Sequence, residues 1–297
     1  MFNKPFLMLG TGLLALAGSL SAADLRLKWD EGKSYTFGVS SSTAMTMAMG
    51  GKAMATQSDL EQTIYCEAGA HEKGIEVTTE FKDMKMDMRL NGQPMMNYDS
   101  TKNADGGILG ASLKPLFDLK VSTVYGEDGK ILEIGGLDGL EGLDQVGMGR
   151  EQIEMMVRSS SQLVPGKEVD PGETWKASME LPMAPLAKDP AIMEFELTFE
   201  GMQEKGGKNL AHITLTGKVA VGEAAEGQAP IQLRSKSITG EMFFDVELGQ
   251  PRESSMKMEL EMGVPENIPL EEGAPGKFPM SVLSTQKLLS VGDAKKE

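Results

Sequence analysis

Lys33-Ser34-Tyr35-Thr36-Phe37-Gly38-Val39-Ser40-Ser41-Ser42-Thr43-Ala44-Met45-Thr46-Met47-Ala48-Met49 runs into Gly50-Gly51 and returns as Lys52-Ala53-Met54-Ala55-Thr56, and this stretch decides the fold. Tyr35, Phe37, Val39, Met45, Met47 and Met49 share one parity, and a period of two puts them on one face of a long β-strand. Gly50-Gly51 reads as a tight turn. The return strand carries Met54, Thr56, Leu60, Ile64 and Cys66 on its matching face.

After a turn near Gly69–Gly74, Ile75, Val77, Thr79 and Phe81 alternate at odd positions, and Met84, Met86, Met88 and Leu90 continue at even ones. That one-residue slip predicts a β-bulge between Phe81 and Met84. The opposite face, Asp83, Lys85, Asp87 and Arg89, alternates in sign and suits water. Asn91-Gly92 is a two-residue hairpin signal leading back through Met95 and Met96. In an up-and-down meander these turns bring Met45, Met47, Met49, Met54, Met84, Met86, Met88, Met95 and Met96 to one end of the sheet, as a candidate ligand-binding surface.

Further along, Phe117, Leu119 and Val121 lead to the turn Glu127-Asp128-Gly129-Lys130 and back through Ile131, which reads as a second hairpin. Leu137, Leu140, Leu143, Val146, Ile153 and Met156 then recur at helical spacing. The glycines at 139, 142, 147 and 149 weaken the start, so the helix is expected to be firm from about Arg150 to Leu163. Asp170-Pro171-Gly172-Glu173-Thr174-Trp175-Lys176 matches Asp30-Glu31-Gly32-Lys33-Ser34-Tyr35-Thr36 in type, the mark of an internal repeat. Alternating runs follow at Met193–Phe199, Ile213–Val221 and Met256–Met262, each with one apolar and one wet face.

The expected fold is therefore mainly β. Long antiparallel strands form one or two strongly curved sheets, half-barrel or sandwich-like, in two similar halves (24–164 and 165–297) joined by a helical segment at about 137–163. Residues 1–23 read as a secretory signal: Lys4, an apolar run from Phe6 to Leu20, and Ser21-Ala22-Ala23 as the cleavage site. The expected location is periplasmic or secreted, with no stable membrane insertion after cleavage. A net charge of −15 repels nucleic acid. Cys66 is the sole cysteine, so no disulfide forms within the chain and a buried thiol is expected.

Several segments together resemble an uncharacterised family of exported bacterial proteins, defined only as a domain of unknown function. They are Leu27-Lys28-Trp29 with Gly32-Lys33-Ser34-Tyr35; Tyr98-Asp99-Ser100; Gly129-Lys130-Ile131 through Gly135; Leu163-Val164-Pro165; and Val169-Asp170-Pro171-Gly172-Glu173-Thr174-Trp175. The resemblance implies a secreted β-rich domain with no assigned activity or cofactor.

No catalytic motif is present. The two histidines, His71 in a polar turn and His212 beside Ile213, are expected to face solvent, and neither lies in a zinc-site or triad pattern. There is no Gly-x-Ser-x-Gly elbow and no phosphate-cradling loop. The chain reads as a non-enzyme without cofactor or metal. Its partner is then an apolar small molecule, such as a lipid or acyl chain, or another envelope protein. Three readings of the methionines stay open: an adaptable lining for an apolar ligand, the core filler of a structural or protein-interaction domain, and a soft Cu(I) site built from Met-x-Met pairs.

Overall fold

A computed structural model describes residues 21–49, 52–102, 107–138, 149–181, 191–220, 232–263 and 276–294. In chain order the first elements are β1 (Ala23–Leu25), β2 (Lys33–Met49), β3 (Lys52–His71), β4 (Gly74–Leu90), β5 (Gln93–Asp99), α1 (Gly107–Asp118), β6 (Lys120–Tyr125) and β7 (Ile131–Gly135). Then come α2 (Arg150–Ser161), β8 (Lys167–Val169), β9 (Thr174–Leu181), β10 (Ala191–Lys205), β11 (Lys208–Ala220), β12 (Gln232–Asp245), β13 (Gln250–Gly263) and β14 (Lys277–Asp293).

Twelve strands form one antiparallel sheet in the order β7-β6-β4-β3-β2-β14-β13-β12-β11-β10-β9, with β5 sharing the outer edge of β4 with β6. The two halves are one sheet because the last strand, β14, pairs along the first long strand, β2. Two meanders thus run outward from a β2–β14 seam. The mainly β, antiparallel expectation holds, and the alternation that predicted it is the reason: in β10, Met193, Phe195, Leu197 and Phe199 are buried while Glu194 and Glu196 are exposed.

Local signals land where the residues put them. Thr63 pairs with Asp83 and Ile64 with Phe81, so Lys82 is the extra residue of a bulge in β4. Asn91 (φ 49°) and Gly92 (φ 77°) make the turn before β5, with both residues left-handed as a two-residue hairpin turn requires. The matched segments at Asp30 and Asp170 form the same turn. Lys33 N–H donates to Asp30 O at 3.1 Å and Glu173 N–H to Asp170 O at 2.9 Å, with Gly32 and Gly172 at φ 73° and 84°. Each of these glycines also donates to the second strand after its turn, Gly32 to Ala68 O in β3 and Gly172 to Phe199 O in β10.

Two expectations need correction, and one falls partly outside the described residues. Phe117 belongs to α1 rather than to a strand, because Leu113 and Leu116 pack one helical stripe against Phe81, Met84 and Tyr98. The helical segment at 137–163 contains α2 at Arg150–Ser161, and its expected irregular start at 139–148 lies outside the described residues. His212 is half-buried, with its ring stacked on Phe243 at 4.7 Å. Residues 1–20 and the Gly50-Gly51 turn also lie outside the described residues. Ala23, placed at the end of the leader by the sequence, is buried opposite Val169.

Helix α2 packs against both edge strands, β9 and β7. One helix can reach both edges only if the sheet curls toward it, so the helix side is the concave side. Among the described residues β7 and β9 do not pair, and the curl stops short of a closed barrel. The chain from Ala23 to Trp29 crosses one end of this trough. Leu25 is 0% exposed in the core formed with Phe199, Phe244 and Val169, and Lys28 N–H donates to Gly249 O at 3.0 Å. Gly249 has to be glycine here: its φ is 66°, and a Cβ would sit 2.4 Å from the Lys28 Cβ. None of the described helices is long and apolar enough to cross a membrane.

Two stability predictions come from this end of the molecule. Leu25→Ala should destabilise by about 3 kcal/mol, the usual range for emptying a fully buried leucine site, and chemical denaturation measures it. Asp245 is buried beside the β12–β13 turn and accepts from Leu248 N–H (3.1 Å), Lys208 Nζ (3.1 Å) and Arg252 Nε (2.9 Å). Burial pushes its carboxyl up, but these donors outweigh burial and hold it below the ordinary value. The ionised group therefore stabilises the fold above the unfolded pKa of about 3.9 and ceases to do so as pH falls through the lower folded value. Asp245→Asn should cost about 2–4 kcal/mol at pH 7, and the gap from the parent should narrow in denaturation curves taken toward pH 3.

Candidate concave binding face

Residues directly opposite in an antiparallel pair point the same way, so the register lists the concave face row by row. The lowest of these rows is Leu288–Phe37–Ile64–Phe81, mostly buried. Above it lies Gln286–Val39–Gln62–Met84, then Met256–Ser284–Ser41–Leu60–Met86–Tyr98. The next is Met258–Val282–Thr43–Ser58–Met88–Met96, and the last is Leu260–Met280–Met45–Thr56–Leu90. No charged residue occupies any of these positions. The rows below the glutamines pack as core, while Val39, Ser41, Thr43, Met45, Ser58, Leu60, Gln62, Met86 and Met88 are only half-buried.

The nine methionines lie toward the same end of the sheet, but the register divides them. Met45 stands opposite Met280, and Met47 opposite Met54, around the seam. Met84, Met86, Met88 and Met96 form a second group across β3, on β4 and β5. Met84, at 1% exposure, is core under α1. Met95 is left out of the β4–β5 register and is 60% exposed. Met49 is placed by register alone, opposite Lys52. The sequence could not identify the second bank of the trough, Met256, Met258 and Met280, because nothing local states that β14 sits beside β2.

A cleft of about 1100 Å³ opens where the sheet edges face each other. Trp175, Ala177 and Phe195 line it from β9 and β10, Ile131 from β7, and Leu27 and Val164 from the crossing segments. The Trp175 indole N–H donates to Leu163 O at 3.1 Å, which ties β9 to the end of α2. Arg158, Lys130 and Lys167 stand at the cleft and are paired to Glu154, Asp128 and Glu173. The sequence signal for this region was the repeated Asp-x-Gly segment ending in Trp175, read as a turn rather than as a lining.

The remaining reactive groups sit elsewhere. Burial pushes the Cys66 thiol up to about 11, with the Thr79 hydroxyl only partly offsetting it, so the thiol stays protonated and a poor nucleophile. His71 Nδ1 accepts from Lys73 N–H at 3.2 Å in the β3–β4 turn. The Nε2 of His212 lies 3.2 Å from the Glu241 carboxylate on the convex side. Among the described residues no group of three or more His, Cys, Asp or Glu is placed to hold a metal ion.

No family model and no curated protein matches the chain. Among solved structures it is similar to one concerning lipid–protein interactions in lipovitellin, at 13% identity over 91% of this chain, with a TM-score of 0.53. The chain spans 26% of the length of that lipovitellin chain. An exported protein of YmcC-like fold from Bacteroides fragilis is 9% identical, covering 92% of this chain and all of the other, at a TM-score of 0.24. A β-barrel-like protein of the DUF1849 domain from Brucella abortus is 11% identical over 91% of this chain and all of its own, at 0.23. At these identities the likeness is one of fold. Of these three, the lipovitellin comparison is close enough to carry it, and what it carries is the large antiparallel sheet.

The uneven burial of the methionines gives a direct readout. Under limited peroxide with peptide mapping, Met95 should convert to sulfoxide first and Met84 last, with Met45, Met86 and Met88 between them. Met84→Ala should cost about 3 kcal/mol, whereas Met88→Ala should cost about 1 kcal/mol or less in the same denaturation assay.

Proposed function

We propose that this chain is a non-enzymatic binding protein of the cell envelope or exterior that holds an apolar ligand, a lipid or acyl chain, on its concave face. The observation that carries the reading is the uncharged, half-buried surface that runs from β4 across β3 and β2 to Ser284 and Gln286 of β14, bounded on the far side by the buried Val282, Met258 and Leu260. A quarter of the chain is charged, so rows free of charge, flanked by thioethers and not packed shut, are what an apolar ligand needs. Methionine adapts to variable chain shapes because it is unbranched and polarizable. The shared fold with the lipovitellin structure, which concerns lipid–protein interactions, supports the same reading.

The test is titration of delipidated protein with a fluorescent acyl probe. Saturable one-to-one binding is expected, and Met88→Lys should weaken it about tenfold or more by setting an unpaired charge on the face, without loss of the folded signal. Absence of saturable binding, together with no lipid in an organic extract of freshly purified protein, would overturn the reading. A Cu(I) site is the second reading, favoured by the register pairs Met45–Met280 and Met47–Met54. Stoichiometric copper retained by the same protein under reducing conditions would establish it.

A further inference from the structure

The floor of the trough is polar, and its polarity has no partner within the protein. Ser41, Thr43, Ser58, Gln62, Ser284 and Gln286 all lie on the concave face, and all are half-buried. Among the described residues none of these six side chains has a hydrogen-bond partner. On the convex side of the same strands the neighbouring hydroxyls are engaged: Ser40 with Thr285 at 2.7 Å, and Ser42 with Asp59 at 2.6 Å. The concave face is bonded again one row beyond Thr43, where the Thr56 hydroxyl donates to Met45 O at 3.3 Å, so the unengaged groups are gathered in the rows from Val39 to Thr43.

Gln286 and Gln62 flank Val39 in a single row, directly above the aromatic and aliphatic row of Phe37, Ile64, Phe81 and Leu288 that seals the trough. One row up, Ser41 and Ser284 face each other. Methionines bound this patch on both sides, Met84 and Met86 on β4 and Met256 on β13. From Val39 to Met45 the trough extends six residues, about 20 Å at strand spacing. It therefore has a closed end rich in neutral donors and acceptors and a long stretch lined by thioethers.

Resting on the apolar-ligand reading, we infer that the trough selects amphiphiles with an uncharged polar group. That group hydrogen-bonds to Gln62, Gln286, Ser41 and Ser284, and the chain lies along Met86, Met88 and Met256. A carboxamide offers both donors and an acceptor, and a hydroxyl does the same, so the patch fits a hydroxyl, ester or amide head. A charged head meets no countercharge on any row of this face and loses its hydration there.

The experiment compares monopalmitoylglycerol, palmitate and hexadecylamine, three probes with the same chain, on delipidated full-length protein by displacement of a fluorescent acyl probe. The uncharged ester should bind at least about tenfold more tightly than either charged probe. Gln62→Leu and Gln286→Leu should each weaken the ester about fivefold, the loss of one neutral hydrogen bond, and leave palmitate unchanged. Ser41→Ala and Ser284→Ala report on the same contacts should a leucine variant fail to fold. Equal binding of all three probes, or variants that weaken all three alike, would overturn the head-group assignment while leaving a chain-binding face in place. Binding of none of the three would remove the apolar-ligand reading and this one with it.

Discussion

From Met45 opposite Met280 at one end to Lys33 opposite Asp293 at the other, β14 lies against β2, and every other feature of the architecture hangs on that pairing. Without it the chain is two separate meanders, each with an unpaired edge. With it a single concave face runs unbroken from β4 to β9. The register is fixed by several independent features. Phe37 and Leu288 bury together in the lower core. Leu289 is the extra residue of a bulge and lies over Gly38, where a Cβ would meet its side chain at 3.3 Å. A slip of one residue would turn Phe37 outward and bring Gly38 into the core, so the buried face enforces the pairing. Because the partners lie at opposite ends of the sequence, this is the contact of highest loop-closure entropy and is expected to form late.

A sheet of this width leaves two edges, and an unprotected edge invites pairing with another chain. Here α2 lies against both, and the crossing segment from Ala23 to Trp29 pins the β6–β7 and β12–β13 turns toward the centre. The edges are held near each other without being joined. That arrangement is what leaves the cleft at Trp175 and Ile131, and it explains why a curled sheet of this kind has a lateral opening whereas a closed barrel opens only at its ends.

Nearly all that was legible in the sequence is decided within about twenty residues. The alternation of Tyr35 through Met49, the slip between Phe81 and Met84, the Asn91-Gly92 turn and the repeated Asp-x-Gly turn are local consequences of pleat, bulge and left-handed φ. Helix α1 was hidden because its short apolar run, Ile108 to Phe117, carries Gly110 and Pro115 and offers too few turns to separate period 3.6 from period 2. The seam was hidden for a different reason: strand pairing across the whole chain leaves no mark in either strand. The methionines of β13 and β14 consequently read as an echo of the first half, whereas they form the opposite bank of the same trough.

The division of labour along the strands accounts for why a face so poorly packed can persist. The lower rows use Phe37, Ile64, Phe81, Leu288, Phe199 and Phe244, side chains with few rotamers that lock one arrangement. On β2, β3 and β4 the upper rows rely mostly on methionine, serine and threonine, which fill space loosely and fix little. Long strands make this affordable. Strands β2, β3 and β4 are anchored over their lower halves by Tyr35, Phe37, Cys66, Ala68, Val77 and Phe81, so the backbone above is already placed, and the residues there need not hold the fold together. Stability concentrated at one end of a strand frees the other end for recognition, which is how a chain that is mostly scaffold can still present an adaptable surface.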